Sequence, residues 1–333
     1  MTQIRIGILS FAHLHAESYV HNLRANPFVE LVGFADDDVQ RGEVFSNKYH
    51  VPYFDSFEAL FDQHLDAVVV CSENSRHLEM VSMAAKRGLH VLCEKPLATS
   101  VSDAEAIVQM CRSSSVNLMT AFPMRFSAPL LEVKQFLDAG GLGRIYACST
   151  TNQGECPKHH RAWFVDRTLA GGGAVSDHVV HLADVLAWYL NDTVTEVYAV
   201  ANNILYPEVD EVETGGLVML TYAGGAFATI DCSWSRPPYY PTWGGLALDL
   251  IGEKGVVTAN AFKQVMTVYQ HTMQRPVYAY WGSDANQAMI DEFVASICEK
   301  RSPKVTGEDG LQAVRIVEAA YRSIETGQPV RLT

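Results

Sequence analysis

Apolar and polar positions along the chain follow two rhythms. In the first third, short apolar runs alternate with amphipathic stretches. Ile4–Leu9 (IRIGIL) is a compact apolar run suited to a strand buried on both faces. Leu14, Ala16, Tyr19, Val20 and Leu23 then recur at helical spacing, and Pro27 closes that helix. Val29–Ala35 predicts a second strand, ending in Asp36, Asp37 and Asp38. A polar helix over Val39–Tyr49 and a short strand at Tyr53–Phe54 follow. Asp55 and Glu58 fit a capping box for a helix over Phe57–Gln63. Ala67–Cys71 predicts a strand, Ser75–Arg87 a helix closed by Gly88, and His90–Cys93 another strand. Ser102 and Glu105 fit the cap of a helix running to about Arg112, and Asn117–Phe122 is one more strand. Strands joined by helices imply right-handed crossovers and a parallel sheet. This is the doubly wound, Rossmann-like pattern of an α/β domain.

Beyond Phe122-Pro123 the rhythm changes. A helix is expected over Ala128–Ala139, stopping at Gly140-Gly141, then a strand near Arg144–Asn152 and, after a Gly-rich loop, a helix over Ala174–Leu190. From Val194 the pattern reads as antiparallel. Leu217–Tyr222 and Ala226–Ser233 flank Ala223-Gly224-Gly225, and Leu246–Ile251 and Val256–Ala259 flank Gly252–Gly255; both are hairpin signals. Strands at Val265–Gln270 and Val277–Trp281 and helices at Asn286–Glu299 and Gly307–Glu325 complete the chain. The expectation is a C-terminal α+β domain with a large, mostly antiparallel open sheet and helices on one face. The other face would be exposed in a monomer, so a homodimer or homotetramer through it is expected. The change of rhythm sets the domains at 1–122, for the dinucleotide, and 123–333, for substrate and oligomerisation.

The 333 residues, 48% of them hydrophobic, are enough for two cored domains. A net charge of −13 argues against nucleic acid or an anionic membrane as partner, since either needs clustered positive charge. It leaves room for a dinucleotide, whose phosphates sit on backbone amides. The 7 Cys are scattered with no C-x-x-C pair, which reads as reduced, buried thiols rather than a zinc or redox site. MTQIRIGILSF lacks the features of a signal peptide and no apolar run could span a bilayer, so the cytoplasm is the expected location.

A dinucleotide site needs a tight turn after the first strand. The usual G-x-G-x-x-G falls on Ser10, Phe11, Ala12, His13, Leu14 and His15, with none of the three glycines. Ser10 and Ala12 are small enough for close approach of phosphate, whereas His15 is bulky. His13 and His15 read either as donors to phosphate or substrate, or as residues that start and pack the helix. Asp36 ends the second strand, where a carboxylate accepts from both adenosine ribose hydroxyls and repels a 2′-phosphate. No Arg follows immediately, so NAD is favoured over NADP; Asp37 and Asp38 read as a solvated turn.

Glu94-Lys95-Pro96 follows the strand at His90–Cys93. A lysine at the C-terminal end of a parallel strand points into the crevice where cofactor and substrate meet. Its amine there is suited to polarise a substrate oxygen. An isolated E-K-P would otherwise be an ordinary strand-end turn. Asp177-x-x-x-His181 lies on one face of its helix, with Asp184 and Trp188 continuing the stripe, so the two can address one substrate together. His178 lies about 100° round the helix and is secondary. Arg125 reads equally as a substrate or cofactor contact and as half of a structural ion pair. The segment Pro157–Trp163, with His160 and Trp163, fits a pocket lining or lid. Adjacent His159 and His160 without spaced partners are weak evidence for a metal, and none is expected.

These motifs together resemble the Gfo/Idh/MocA family of oxidoreductases. The resemblance rests on VLCEKPLA (Val91–Ala98), AVVVCSENSRH (Ala67–His77), Met124-Arg125-Phe126, Leu142-Gly143, Gly171-Gly172-Gly173-Ala174 and VEAAYRSIETGQPV (Val317–Val330). It implies Ser72, Asn74, His77 and Glu94 on the cofactor side, beside Ser10, Phe11, Ala12, His13, Asp36 and Lys95. It implies a cis Lys95-Pro96 bond, His181 as acid/base and Asp177 as its orienter or as a ligand of a substrate hydroxyl. The function implied is NAD-dependent hydride transfer to or from a sugar, polyol, cyclitol or related hydroxy compound. Alternatives are an enzyme that recycles tightly held NAD within each turnover, and a non-catalytic nucleotide- or sugar-binding regulator.

Overall fold

A computed structural model describes residues 3–269, 276–280 and 282–332. The first part of the chain alternates strand and helix. β1 (Ile4–Leu9), α1 (Ala16–Ala25), β2 (Val29–Ala35), α2 (Val39–Tyr49), β3 (Tyr53–Phe54), α3 (Phe57–Phe61), β4 (Ala67–Val70), α4 (His77–Ala85), β5 (His90–Cys93), α5 (Val101–Ser113) and β6 (Leu118–Thr120) follow one another. The strands form a six-stranded parallel sheet in the order β3-β2-β1-β4-β5-β6. The order reverses between β1 and β4, so their carboxyl ends open a crevice of the kind that takes nucleotides. The four residues of β4 have no exposure, as a strand covered on both faces requires.

Two expected caps move. Ser56, not Asp55, caps α3 by accepting from the Ala59 amide, and Ser100, not Ser102, caps α5 by accepting from the Asp103 amide. In each case the capping serine holds extended backbone, φ −144° and −140°, immediately before the first helical residue, and only there can its hydroxyl reach an amide three residues on. Asp38, expected in a solvated turn, caps α2 through the Arg41 amide.

The later part contains α6 (Ala128–Asp138), β7 (Ile145–Glu155), α7 (Arg167–Ala170), α8 (Ala174–Leu190), β8 (Val194–Asn202), β9 (Gly215–Tyr222), β10 (Phe227–Arg236), β11 (Gly244–Gly252), β12 (Gly255–Asn260), β13 (Val265–Tyr269), β14 (Pro276–Tyr280), α9 (Ala285–Cys298), α10 (Gly307–Thr326) and β15 (Val330–Arg331). Seven strands form one sheet in the order β12-β11-β7-β10-β9-β8-β15. It is antiparallel except for β7 against β10, so the sheet is mixed. β13 and β14 pair separately; Gln270 and Trp281, placed in strands from the sequence, lie outside the described residues. α8 packs on β7, β9 and β10. On the opposite face, Val200, Leu217, Met219, Phe227 and Ile251 alternate with buried neighbours and are exposed. Among the described residues no helix is long and apolar enough to cross a membrane.

The chain divides into two compact units. The first comprises residues 1–123, 158–172 and 286–315, and the second residues 124–157, 173–285 and 316–333. The segment 158–172 thus belongs with the first unit, although it interrupts the second in sequence.

Candidate active site

In the first unit the turn after β1 is built from side chains where glycines are usual. Ser10 takes φ 69°, the left-handed backbone that glycine adopts freely. Its hydroxyl compensates by accepting from the Ala12 amide at 3.0 Å and donating to Asp36 at 3.2 Å. Phe11 is fully buried among Phe34, Phe45 and Tyr49. The loop amides turn inward: Phe11 N–H donates to Asp36 Oδ2 at 2.7 Å, His13 N–H to the Cys71 carbonyl at 2.8 Å, and His15 N–H to His13 Nδ1 at 3.2 Å. Arg161 Nε and Trp163 Nε1 both donate to the Ala12 carbonyl, each at 3.0 Å. Trp163, expected near substrate, is thereby anchored on this loop, while His160 is exposed.

Asp36 is buried at the end of β2 and accepts five hydrogen bonds. Oδ2 takes the Phe11 amide, the Ser10 hydroxyl and Arg41 Nε (2.8 Å); Oδ1 takes the Asp38 amide (3.0 Å) and Arg41 Nη2 (2.7 Å). The absence of an Arg directly after Asp36 is therefore not the absence of an Arg at Asp36. Arg41, on the first turn of α2, reaches back to it. Reading Asp38 as the helix cap would have placed Arg41 there.

At the ends of β4 and β5, Ser72 donates to the Glu73 carbonyl and Asn74 Nδ2 to the Ala170 carbonyl at 2.9 Å. His77 Nδ1 donates to the Pro96 carbonyl at 2.9 Å. Burial lowers the His77 pKa, so the ring is neutral and Nε2 is a bare acceptor. His77 Nε2 and Asn74 Oδ1 are both buried with no hydrogen-bond partner among the described residues. The Lys95-Pro96 bond is cis, as the resemblance implies, and Lys95 is buried.

Glu94 is wholly buried and accepts from Tyr19 (2.5 Å), His15 Nδ1 (2.9 Å) and the Lys95 amide (3.1 Å), with His13 Nε2 at 3.8 Å. Burial alone would raise its pKa, but His13, His15 and the Lys95 amine outweigh this and hold it well below the usual carboxylate range. The ligand-type atoms of His13, His15 and Glu94 lie within 4.8 Å of one another. Their geometry suits hydrogen bonding better than a metal. His13 Nδ1 accepts the His15 amide, which leaves the ring proton on Nε2, the atom a metal would need bare. Tyr19 was missed in the sequence because its apolar spacing marks it as core.

The second unit carries Asp177 and His181 on α8. Both are half-buried and lie one turn apart, as the spacing predicts. Asp177 Oδ2 accepts from Trp234 Nε1 and faces His178 Nε2, each at 3.1 Å, so His178 is a direct neighbour of the carboxylate rather than a bystander. Arg125 forms a buried two-point ion pair with Asp184, Nε to Oδ2 at 2.8 Å and Nη2 to Oδ1 at 2.5 Å, which engages its guanidinium in structure. Glu213 holds the start of α8: its carboxylate accepts from the Gly173 and Val175 amides and from Tyr321, and its carbonyl from the Ala174 amide. Burial pushes the Glu213 carboxyl up. No sequence signal ties Glu213 to a helix forty residues earlier.

Two family models match the chain. The oxidoreductase family with an NAD-binding Rossmann fold covers residues 4–122, and the GFO/IDH/MocA C-terminal domain covers residues 130–258. A myo-inositol 2-dehydrogenase of Thermotoga maritima is 26% identical over 99% of this chain and 98% of its own. An NADP-linked D-xylose 1-dehydrogenase of Haloferax volcanii is 29% identical over 98% and 99%. Among solved structures, GenD2 from gentamicin A biosynthesis in complex with NAD superposes with a TM-score of 0.89 at 22% identity, covering 100% of this chain and 97% of that one. With both halves matched in order, the chain belongs to the GFO/IDH/MocA family of oxidoreductases.

Proposed function

We propose that the protein transfers hydride between NAD and a hydroxyl-bearing carbon of a sugar, polyol or cyclitol, with Lys95 and His181 at the reacting oxygen. Relatives spanning the full chain are named for inositol and sugar dehydrogenation, which supports the substrate class. The observation that carries the reading is the buried amine of Lys95 at the carboxyl end of β5, where doubly wound sheets place their chemistry. Asn74 Oδ1 and His77 Nε2, buried acceptors in need of donors, fit a dinucleotide at the ends of β4 and β5. Residues 1–122 would hold the cofactor, with Asp36 at the adenosine ribose, and residues 123–333 the substrate. The carboxylates Asp37, Asp38 and Glu73 around Asp36 disfavour a 2′-phosphate and support NAD over NADP.

When bound, the nicotinamide supplies the hydride acceptor. Lys95 donates a hydrogen bond to the substrate oxygen and stabilises charge on it as hydride leaves carbon. His181 takes the hydroxyl proton, and Asp177, fixed by Trp234, orients the site from one turn earlier on α8. The exposed apolar side chains on the open sheet face support a homo-oligomer, which light scattering would size.

The test is a panel of sugars, polyols and cyclitols with NAD and NADP, following absorbance of the reduced cofactor. Lys95→Ala is expected to lower kcat by about 10³-fold while NAD affinity stays within about threefold. Wild-type turnover in that variant would remove Lys95 from the mechanism. Dinucleotide binding without turnover on any substrate would favour a regulatory binding protein.

A further inference from the structure

The Asp36 carboxylate is the acceptor that the proposed cofactor reading assigns to the adenosine ribose, yet it has no lone pair to offer. A carboxylate has about four lone-pair sites, and Asp36 already accepts five donors. Three of these are fixed in place: the Phe11 and Asp38 amides and the Ser10 hydroxyl, which is itself locked by the Ala12 amide. The other two come from one side chain, Arg41, which is partly exposed at the start of α2. A ribose diol brings two O–H donors, matching in number and sign the two N–H donors of the guanidinium.

We propose that Arg41 is an internal competitor for the adenosine ribose: its guanidinium closes the Asp36 carboxylate, and NAD binds by taking its place. This rests on the cofactor reading above. The surroundings give the displaced guanidinium somewhere to go. Asp37, Asp38 and Glu73 lie 3.8–3.9 Å from its Nη atoms, so it stays ion-paired after leaving Asp36. The same crowd sets its limits as a phosphate ligand. Arg41 and Arg76 face five carboxylates, Asp36, Asp37, Asp38, Glu73 and Glu79, and that negative balance repels a 2′-phosphate. Arg41 thus lowers the apparent affinity for NAD by the fraction of molecules in which Asp36 is closed, without creating a site for NADP.

The experiment measures NAD and NADP dissociation constants by calorimetry for the wild type, Arg41→Met and Arg41→Lys, with thermal melting to show that each is folded. Arg41→Met is expected to bind NAD about tenfold more tightly, since the competitor is gone. Arg41→Lys keeps the charge but loses the two-point grip, and is expected to fall between the two; it carries the test if the methionine variant does not fold. NADP is expected to bind weakly throughout. Unchanged or weaker NAD binding in both variants overturns the proposal. So does a selective loss of NADP binding, which would make Arg41 a phosphate ligand. In either of those cases measurable NAD binding by the wild type leaves the cofactor reading standing; a wild type that binds neither dinucleotide removes both.

Discussion

Two loop-to-helix junctions, one in each unit, solve the same problem in opposite ways. At the start of α1 the glycines are gone, and the amides of Phe11, Ala12, His13 and His15 are satisfied by Asp36, Ser10, Cys71 and His13 of the surrounding turn and strands. At the start of α8 the glycines remain, and the amides of Gly173, Ala174 and Val175 are satisfied from outside by Glu213 alone. The difference lies in what forces the glycine. At Ser10 only the backbone angle calls for it, and a hydroxyl that bonds locally can compensate. At Gly173 another backbone occupies the space, and no side chain can compensate for overlap.

The largest effect should come from filling that space. A Cβ on Gly173 would lie 1.9 Å from the Glu213 carbonyl oxygen, an overlap that one of two main chains must resolve by moving. Gly173→Ala is expected to cost more than about 4 kcal/mol and to displace the start of α8 with Asp177 and His181. Urea unfolding and turnover would both register it. A variant with near wild-type stability would show that the α8 junction is as adaptable as the α1 junction.

At the α1 junction the corresponding dependence is on charge. Glu94 anchors His15 and Tyr19 from beneath, and it does so as an anion. Its folded-state pKa is depressed below the ordinary 4.5, so its contribution is present above that value and is lost as pH falls through the folded value. Glu94→Gln is expected to lower stability by about 3 kcal/mol at neutral pH. The gap from wild type should then narrow as pH drops below about 4.5. Melting curves at several pH values read this directly; a gap that stays constant would mean that Glu94 acts by shape rather than charge.

How far these features could be read from the sequence follows from the range of the interactions that make them. β1, β2, β5 and α8 lie where the apolar pattern puts them, because burial on known faces is a local pattern. The caps of α3 and α5 were off by one or two positions because several hydroxyl or carboxyl side chains competed and only backbone angle decides among them. Lys95 and the Asp177–His181 pair were legible as motifs. Arg41 on Asp36, five residues away, was obscured because Asp38 was read as a solvated turn rather than as the cap of α2. Glu213 on α8 and Trp163 on Ala12 are tertiary contacts between segments whose own patterns point elsewhere. The parallel pairing of β7 with β10 was hidden for the same reason: strand patterning shows which residues face inward, not which strand lies alongside.

The smallest effect tests the comparison most finely. Ser10 holds φ 69° at a steric cost of about 1 kcal/mol that glycine would not bear. Ser10→Gly removes that cost but also removes the hydroxyl that accepts the Ala12 amide and bonds Asp36, and it adds backbone freedom to the unfolded chain. These terms oppose one another, and the net change is expected to stay within about 1 kcal/mol of zero. Ser10→Ala keeps the strained angle and still loses the hydroxyl's hydrogen bonds to Asp36, Ala12 and Arg41, so nothing offsets its loss; it should cost about 1–2 kcal/mol. The informative quantity is where each variant falls relative to the wild type in a denaturant titration. If alanine proves as stable as the wild-type serine, the hydroxyl is not what replaced the glycine, and the aromatic packing of Phe11 must hold the turn instead.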